Sequence, residues 1–251
     1  MAKKKYIYGR YFAKTDIGKV RLNNEDQSCA LTNTRGNILL VVCDGMGGQN
    51  KGDLAAALAI KYITQEFNNK PRFGGKFFTK QWVAKTIRGA NAEVFRQASS
   101  NEKYQGMGTT ITLVLIVGDY MVVAQVGDSR AYSFRHRILN QITEDQTYVQ
   151  YLYRIGEIKK EEIPTHPQRH VLMNALGIYP SLDLDIKTMP YMNDSILLCS
   201  DGLYNNVPEK DILTIMKSTD TPDQKVNELI SLANNNGGSD NIAVVIWEAQ
   251  Q

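Results

Sequence analysis

The chain has 251 residues, 43% of them hydrophobic, and a formal net charge of +3. That apolar content suits a sizeable buried core and excludes a disordered chain, while so small a charge gives no reason to expect a nucleic-acid partner. An apolar stretch such as that around Ile111 to Val117 falls far short of the roughly 18 residues of a membrane span, and Tyr-Ile-Tyr-Gly-Arg follows the basic start where a signal peptide needs its apolar stretch. A soluble, cytoplasmic protein with no membrane partner is therefore expected.

Strands dominate the first part: Tyr6–Phe12, Gln27–Thr32 and Asn37–Cys43, the last two joined by the polar turn Asn33-Thr34-Arg35-Gly36. Two helices are predicted next. The first carries Leu54, Leu58 and Tyr62 with Ala55, Ala59, Ile63 and Phe67. The second has Thr79 as its N-cap and a stripe of Val83, Ile87, Ala90 and Val94. Thr109–Val117 and Tyr120–Val126 form a hairpin over Gly118-Asp119, and Ala131–Phe134 and Ile138–Ile142 continue that block. Residues 147–176 are irregular and partly helical, as in an insertion or flap. Leu182, Leu184 and Ile186 alternate with polar residues as in a half-buried strand. A strand at Ser195–Cys199 precedes two helices opened by Pro208 and Pro222, the second stopped by Gly237-Gly238. A final strand spans Ile242–Trp247. Tight turns between strands imply antiparallel sheets, and helices grouped in pairs imply layers over them. The expected fold is α+β: a central antiparallel β-sandwich flanked on both faces by pairs of antiparallel helices, as one domain over residues 1–251.

The aspartates sit at strand ends. Asp44 ends NILLVVCD, Asp201 ends SILLCSD, Asp128 ends MVVAQVGD, Asp240 precedes IAVVIW, and Asp26 opens the strand at Gln27. One aspartate after a strand is an ordinary turn residue. A carboxylate beside a buried apolar segment needs a basic side chain, backbone donors at a turn or a cation to offset its charge, and five together, in a chain without a matching set of adjacent basic residues, point toward a cation. Oxygen ligands suit Mg²⁺ or Mn²⁺ over Zn²⁺, and two such ions can activate a water and neutralise an incoming phosphate. The glycines of DGMGG and DGL are expected to let the chain bend sharply, and at Asp44 to turn a backbone carbonyl toward an ion. Arg21 is the candidate for a bidentate grip on phosphate oxygens.

TDIGKVRLNNEDQ, VVCDGMGG, MGTTIT, VGDSRAY, ITEDQT, HPQRHVLMNALG, LLCSDGL and GGSDNIAVV follow one another from about Gly9 to Trp247. In content and order they resemble the bacterial metal-dependent protein phosphatases of the PPM, or type 2C, family. The resemblance implies a protein serine/threonine phosphatase that uses two Mn²⁺ or Mg²⁺ ions and a weaker third, with a water as nucleophile and no phosphoenzyme. It implies that Asp44 bridges both ions, that the Gly45 carbonyl binds one, and that Asp201 and Asp240 bind the other. Asp26 would orient the nucleophile and Glu25 a further bound water. Arg21 would hold the phosphate, Asp128 the third ion, and Asn241 would shape the site beside Asp240. Residues 144–177 resemble the family's mobile flap. Phosphorylated proteins would be the partners, including a Ser/Thr protein kinase and its substrates, and the chain would act as a monomer.

Three positions depart from that pattern. Gln49 stands where many bacterial relatives have histidine and offers no proton to a leaving alkoxide, so a bound water would serve. Gln146 replaces another common histidine. His170, in the flap, could reach the third ion, although its simpler reading is as an ordinary flap residue. His136 reads as part of an exposed turn, and His166 as fixing the flap beside Pro167. Cys29 and Arg35 match C-x5-R by spacing only, since the residues between run off a strand into a turn without a glycine-rich anion cradle. Two other readings stay open from the residues: a silent phosphoprotein-binding module on this fold, or a two-metal esterase for small phosphates.

Overall fold

The computed structural model describes residues 8–47 and 51–250. Gln49 and the first residues of the strand expected from Tyr6 lie outside them. Among the described residues the strands are β1 (Gly9–Asp16), β2 (Asp26–Thr32), β3 (Ile38–Met46), β4 (Gly108–Thr109), β5 (Ile111–Val117), β6 (Tyr120–Val126), β7 (Arg130–Arg135), β8 (Ile138–Gln141), β9 (Asp185–Pro190), β10 (Ser195–Cys199) and β11 (Ile242–Ala249). The α-helices are α1 (Gly52–Asn68), α2 (Lys76–Ser99), α3 (Tyr148–Arg154), α4 (Asp201–Tyr204), α5 (Glu209–Lys217) and α6 (Pro222–Asn235).

The strands form two antiparallel sheets. One runs β1-β11-β10-β7-β8, the other β2-β3-β5-β6-β9, with β4 paired to β3. Period-2 side-chain alternation explains how they stack. On β3, Leu39, Val41 and Cys43 pack with Ile63 of α1 and Ile87 of α2, while Ile38, Leu40 and Val42 meet Leu198, Val245 and Trp247 of the opposite sheet. With both faces buried, β3 reads as an unbroken apolar run. A third layer joins Leu197, Val244 and Ile246 to Ile212 of α5 and Val226 and Leu229 of α6. This is the expected sandwich between helix pairs. Each buried Leu, Ile or Val stabilises it by roughly 1.5–3 kcal/mol.

Several boundaries differ from expectation. Thr79 does not cap α2; Gly75 does, and Thr79 is buried within the helix with its hydroxyl 2.8 Å from that of Tyr120. The strand expected from Thr109 is broken at Thr110, whose N–H and hydroxyl are turned to the Asp44 backbone. The alternation at Leu182 and Leu184 precedes β9, which starts only at Asp185. The short α4 was not legible in the sequence. His136 and Arg137 both have positive φ (50° and 64°), the conformation of a type I′ turn whose twist suits the β7–β8 hairpin.

Candidate active site

Antiparallel pairing gathers the acids at one end of both sheets. Asp26, which opens β2, is the cross-strand partner of Asp44 near the end of β3. The start of β5 pairs with that same end of β3 (Thr112 opposite Val42). In the other sheet, Cys199 at the end of β10 is opposite both Val244 near the start of β11 and Arg130 at the start of β7. Asp201, Asp240 and Asp128 therefore sit two to four residues from these paired ends.

The electrostatics report this closeness. Burial first, then the charge of Asp201 and Asp145, lifts Asp128 to about 7. Burial lifts Asp26 to about 8 against a hydrogen bond from Ser200, with Asp201, Asp240 and Asp128 adding repulsion. Asp44 is pushed well above the usual carboxylate range by burial and then by Asp26, Asp201, Asp128 and Asp240. Among the described residues no basic side chain forms an ion pair with Asp26, Asp44 or Asp128. Crowded, buried, unpaired carboxylates are costly, and an all-oxygen set of this kind fits hard divalent cations. The side chains are not already closed into a cage, however: among the described residues no three acidic, histidine or cysteine groups converge as ligands of one ion. Several are turned to protein donors instead. Asp240 Oδ2 accepts from Arg21 Nη2 at 2.8 Å, Asp26 Oδ2 from Ser200 Oγ at 2.6 Å, and Asp201 Oδ2 from Asn205 Nδ2 at 3.1 Å.

The backbone around the acids is tightly fixed. Thr110 donates its N–H to the Asp44 carbonyl (2.8 Å) and accepts the Asp44 N–H on Oγ1 (2.9 Å). Glu25 accepts the Gly52 N–H on Oε1 at 3.1 Å, placing a carboxylate at the start of α1, where the helix dipole favours it. Asn241 Oδ1 accepts the Glu25 N–H at 2.9 Å, and its Nδ2 donates to the carbonyls of Ile17 and Asn23. One amide thus ties the β1–β2 loop to the residue after Asp240.

The glycines of the two DG pairs act differently from the expected sharp bend. Gly45 lies within β3, and Gly202 in α4. A Cβ on Gly45 would collide with the carbonyl of Gly52 and one on Gly202 with that of Asn241. Both glycines permit close backbone approach beside an aspartate.

Two clasps join the flap to the acids. Arg130 chelates Asp145 (Nε–Oδ1 3.0 Å, Nη2–Oδ2 2.7 Å) and lies 3.6 Å over the Tyr204 ring, whose hydroxyl donates to the Asp128 carbonyl at 3.2 Å. Gln146 donates its N–H to the Gly127 carbonyl (2.9 Å) and accepts the Gly127 N–H on Oε1 (3.0 Å). The position that departs from the family's histidine thus holds the residue before Asp128. His170 reaches further in than a plain flap residue, with Nδ1 3.8 Å from Asp201 Oδ2. Ser200, Thr110, Arg130 and Tyr204 were not singled out from the sequence. The polar residue set among apolar ones in LLCSDG was the available signal for Ser200.

The fold and the acid-lined end define a phosphatase of the metal-dependent type. The family model for protein phosphatase 2C matches residues 19–240, and the chain belongs to that family. It is 37% identical over 236 residues to the serine/threonine phosphatase stp of Listeria monocytogenes, covering 94% of each chain. The solved structure of the S. agalactiae serine/threonine phosphatase superposes with a TM-score of 0.90 at 32% identity, covering 97% of this chain and 100% of that one. The catalytic domain of the phosphatase PstP in complex with two manganese ions superposes with a TM-score of 0.85, also at 32% identity, over 97% and 99% of the two chains.

Proposed function

We propose that the chain, as one phosphatase domain, removes phosphate from phosphoserine and phosphothreonine in proteins through this acid-lined site. The observation that carries the reading is the gathering of Asp26, Asp44, Asp128, Asp201 and Asp240 at one end of the sandwich, beside an arginine, in a chain of the type 2C family. Asp44 with the Gly45 carbonyl, Asp201 and Asp240 would hold two Mn²⁺ or Mg²⁺ ions, and Asp128 with Asp201 a weaker third. Bound there, the ions supply the positive charge that acidifies water and offsets the charge of the phosphate.

The protein's own groups do the rest. Arg21, half-exposed beside Asp240, presents a planar fork of N–H donors that matches two phosphate oxygens. Asp26 accepts a hydrogen bond from the attacking water and orients it, while Ser200 fixes the angle of its carboxylate. Glu25, anchored on the Gly52 N–H, holds a further water at the rim. Asn241 sets the distance of the Arg21 loop from Asp240.

Phosphorylated proteins are the substrates, and a Ser/Thr protein kinase with its own targets is the finer expectation. The low net charge supports a reading without nucleic acid. Among the described residues no helix is long and apolar enough to cross a membrane. A cytoplasmic monomer is the reading we favour. Hydrolysis of a phosphothreonine peptide with Mn²⁺, lost with chelator and near-silent in Asp44→Ala, is the expected result. Turnover surviving in Asp44→Ala would refute it.

A further inference from the structure

The loop between β1 and β2 places Arg21 over the acids and exposes a large apolar side chain on each side of it. Val20 is 65% exposed and Leu22 91%. Scattered exposed apolar residues are common and mean little alone. Here the backbone that carries them is fastened. Gly18 N–H donates to Asp16 Oδ1 (2.9 Å), Lys19 N–H to the Gly238 carbonyl (2.8 Å), and Asn24 Nδ2 to Thr15 Oγ1 (3.0 Å). Asn241 Nδ2 holds the carbonyls of Ile17 and Asn23, each at 2.9 Å. Neither Val20 nor Leu22 belongs to any of the three apolar layers, so the fold does not use them as core. They stand in water, between two fastened stretches of backbone, as the immediate chain neighbours of the group that would grip phosphate.

We propose that Val20 and Leu22 are a specificity-determining rim that seats the residues next to the phosphorylated side chain, so that preferred substrates carry apolar neighbours. The inference rests on the reading of Arg21 as the phosphate grip. An extended peptide advances about 3.3–3.6 Å per residue, so with its phosphate at Arg21 the adjoining residues come within reach of the chain neighbours of that arginine. Asp240, Asp201 and Asp44 all act on Arg21, so the group between the two apolar side chains faces the acid-lined end of the sandwich. On the flap, Val171 and Met173 are about half exposed too, close in sequence to the His170 that stands beside Asp201.

The test compares the Mn²⁺-loaded full chain with Val20→Ser/Leu22→Ser and with the conservative pair Val20→Ile/Leu22→Met. The substrates are p-nitrophenyl phosphate and two phosphothreonine peptides of equal length, one with Leu and Val flanks and one with Ser and Gly. The serine pair is expected to raise KM for the apolar peptide about tenfold, with kcat, the polar peptide and p-nitrophenyl phosphate little changed. The conservative pair is expected to keep the wild-type preference. A wild type that uses both peptides equally, or a serine pair with unchanged KM, overturns the rim. An equal loss on all three substrates also overturns it, because Val20 and Leu22 would then serve the site and not the flanks. Concentration-dependent self-association of the wild type, abolished in the serine pair, would assign the patch to a second copy and overturn it too. Turnover of p-nitrophenyl phosphate with no peptide hydrolysis would instead sink the protein-phosphatase reading.

Discussion

The hydroxyl of Ser200 stands 2.6 Å from Asp26 Oδ2 and donates to it, while accepting the N–H of Ala243 at 2.8 Å. The serine is fully buried, so both bonds are shielded from water. It links the N-cap position of α4, just before Asp201, to an acid on the other sheet. Ser200→Ala removes the donor and leaves a buried N–H unpaired, which costs about 1–3 kcal/mol. Calorimetry should show a lower Tm. Steady-state kinetics should show a fall in kcat larger than any change in KM, as the role proposed for Asp26 in orienting the attacking group requires.

The metal-free protein should lose stability as pH rises. Asp26 at about 8 and Asp128 at about 7 both lie above their unfolded values near 3.9. Between those limits the folded state holds protons that the unfolded state has released. Their contribution is therefore greatest below the unfolded pKa and is lost as pH climbs through 7 and 8. Chelator-treated protein is expected to melt lower at pH 8.5 than at pH 6, and Mn²⁺ to raise Tm more at the higher pH. Asp26→Asn should flatten that slope. A metal-free Tm that rises steadily from pH 6 to 8.5 in wild type and variant alike would contradict the assignment.

Arg130 joins Asp145, at the base of the flap, to Tyr204 of α4 through a two-point ion pair and a stacked ring. Both partners of the pair are largely buried. Removing the guanidinium leaves Asp145 uncompensated, and Arg130→Ala should cost roughly 3–5 kcal/mol in urea unfolding. Arg130→Lys keeps the charge but loses the fork and the stack, so it should fall between the two.

Arg21→Ala should raise KM for a phosphopeptide with a smaller effect on kcat, provided its grip is equal in ground and transition states. The same change frees Asp240 from its 2.8 Å ion pair. Mn²⁺ titration of the variant by calorimetry is therefore expected to show affinity equal to or above wild type. An unchanged KM together with an unchanged kcat would remove Arg21 from the site.

Gly202→Ala places a methyl group against the Asn241 carbonyl. Overpacking of this kind costs about 1–3 kcal/mol, and here the strain falls between α4, which begins with Asp201, and the residue after Asp240. Activity should drop more steeply than stability, as measured by kcat beside urea unfolding.

The sandwich and its helix pairs were legible because their signals are local. An unbroken ILLVVC, a Gly118-Asp119 turn and prolines at Pro208 and Pro222 each act within a few residues, and β10 has the boundaries expected of it. Two of the misplaced boundaries share one cause. Thr79 looks like a cap until Tyr120, forty-one residues away, is found holding its hydroxyl inside the core. Thr110 looks like strand until the Asp44 backbone claims its N–H and hydroxyl.

By itself the sequence determined which residue types stand at the strand ends and, through period and turn chemistry, the layers that bring those ends together. It could not decide what each carboxylate faces. The ties of Asp26 to Ser200, Asp240 to Arg21, Glu25 to Gly52 and Gln146 to Gly127 join residues 19 to 219 positions apart. Hydrogen bonds act over about 3 Å, so such pairings exist only after the sheets have closed. The same holds for the two DG glycines, whose need for close packing comes from neighbours that the tertiary structure supplies.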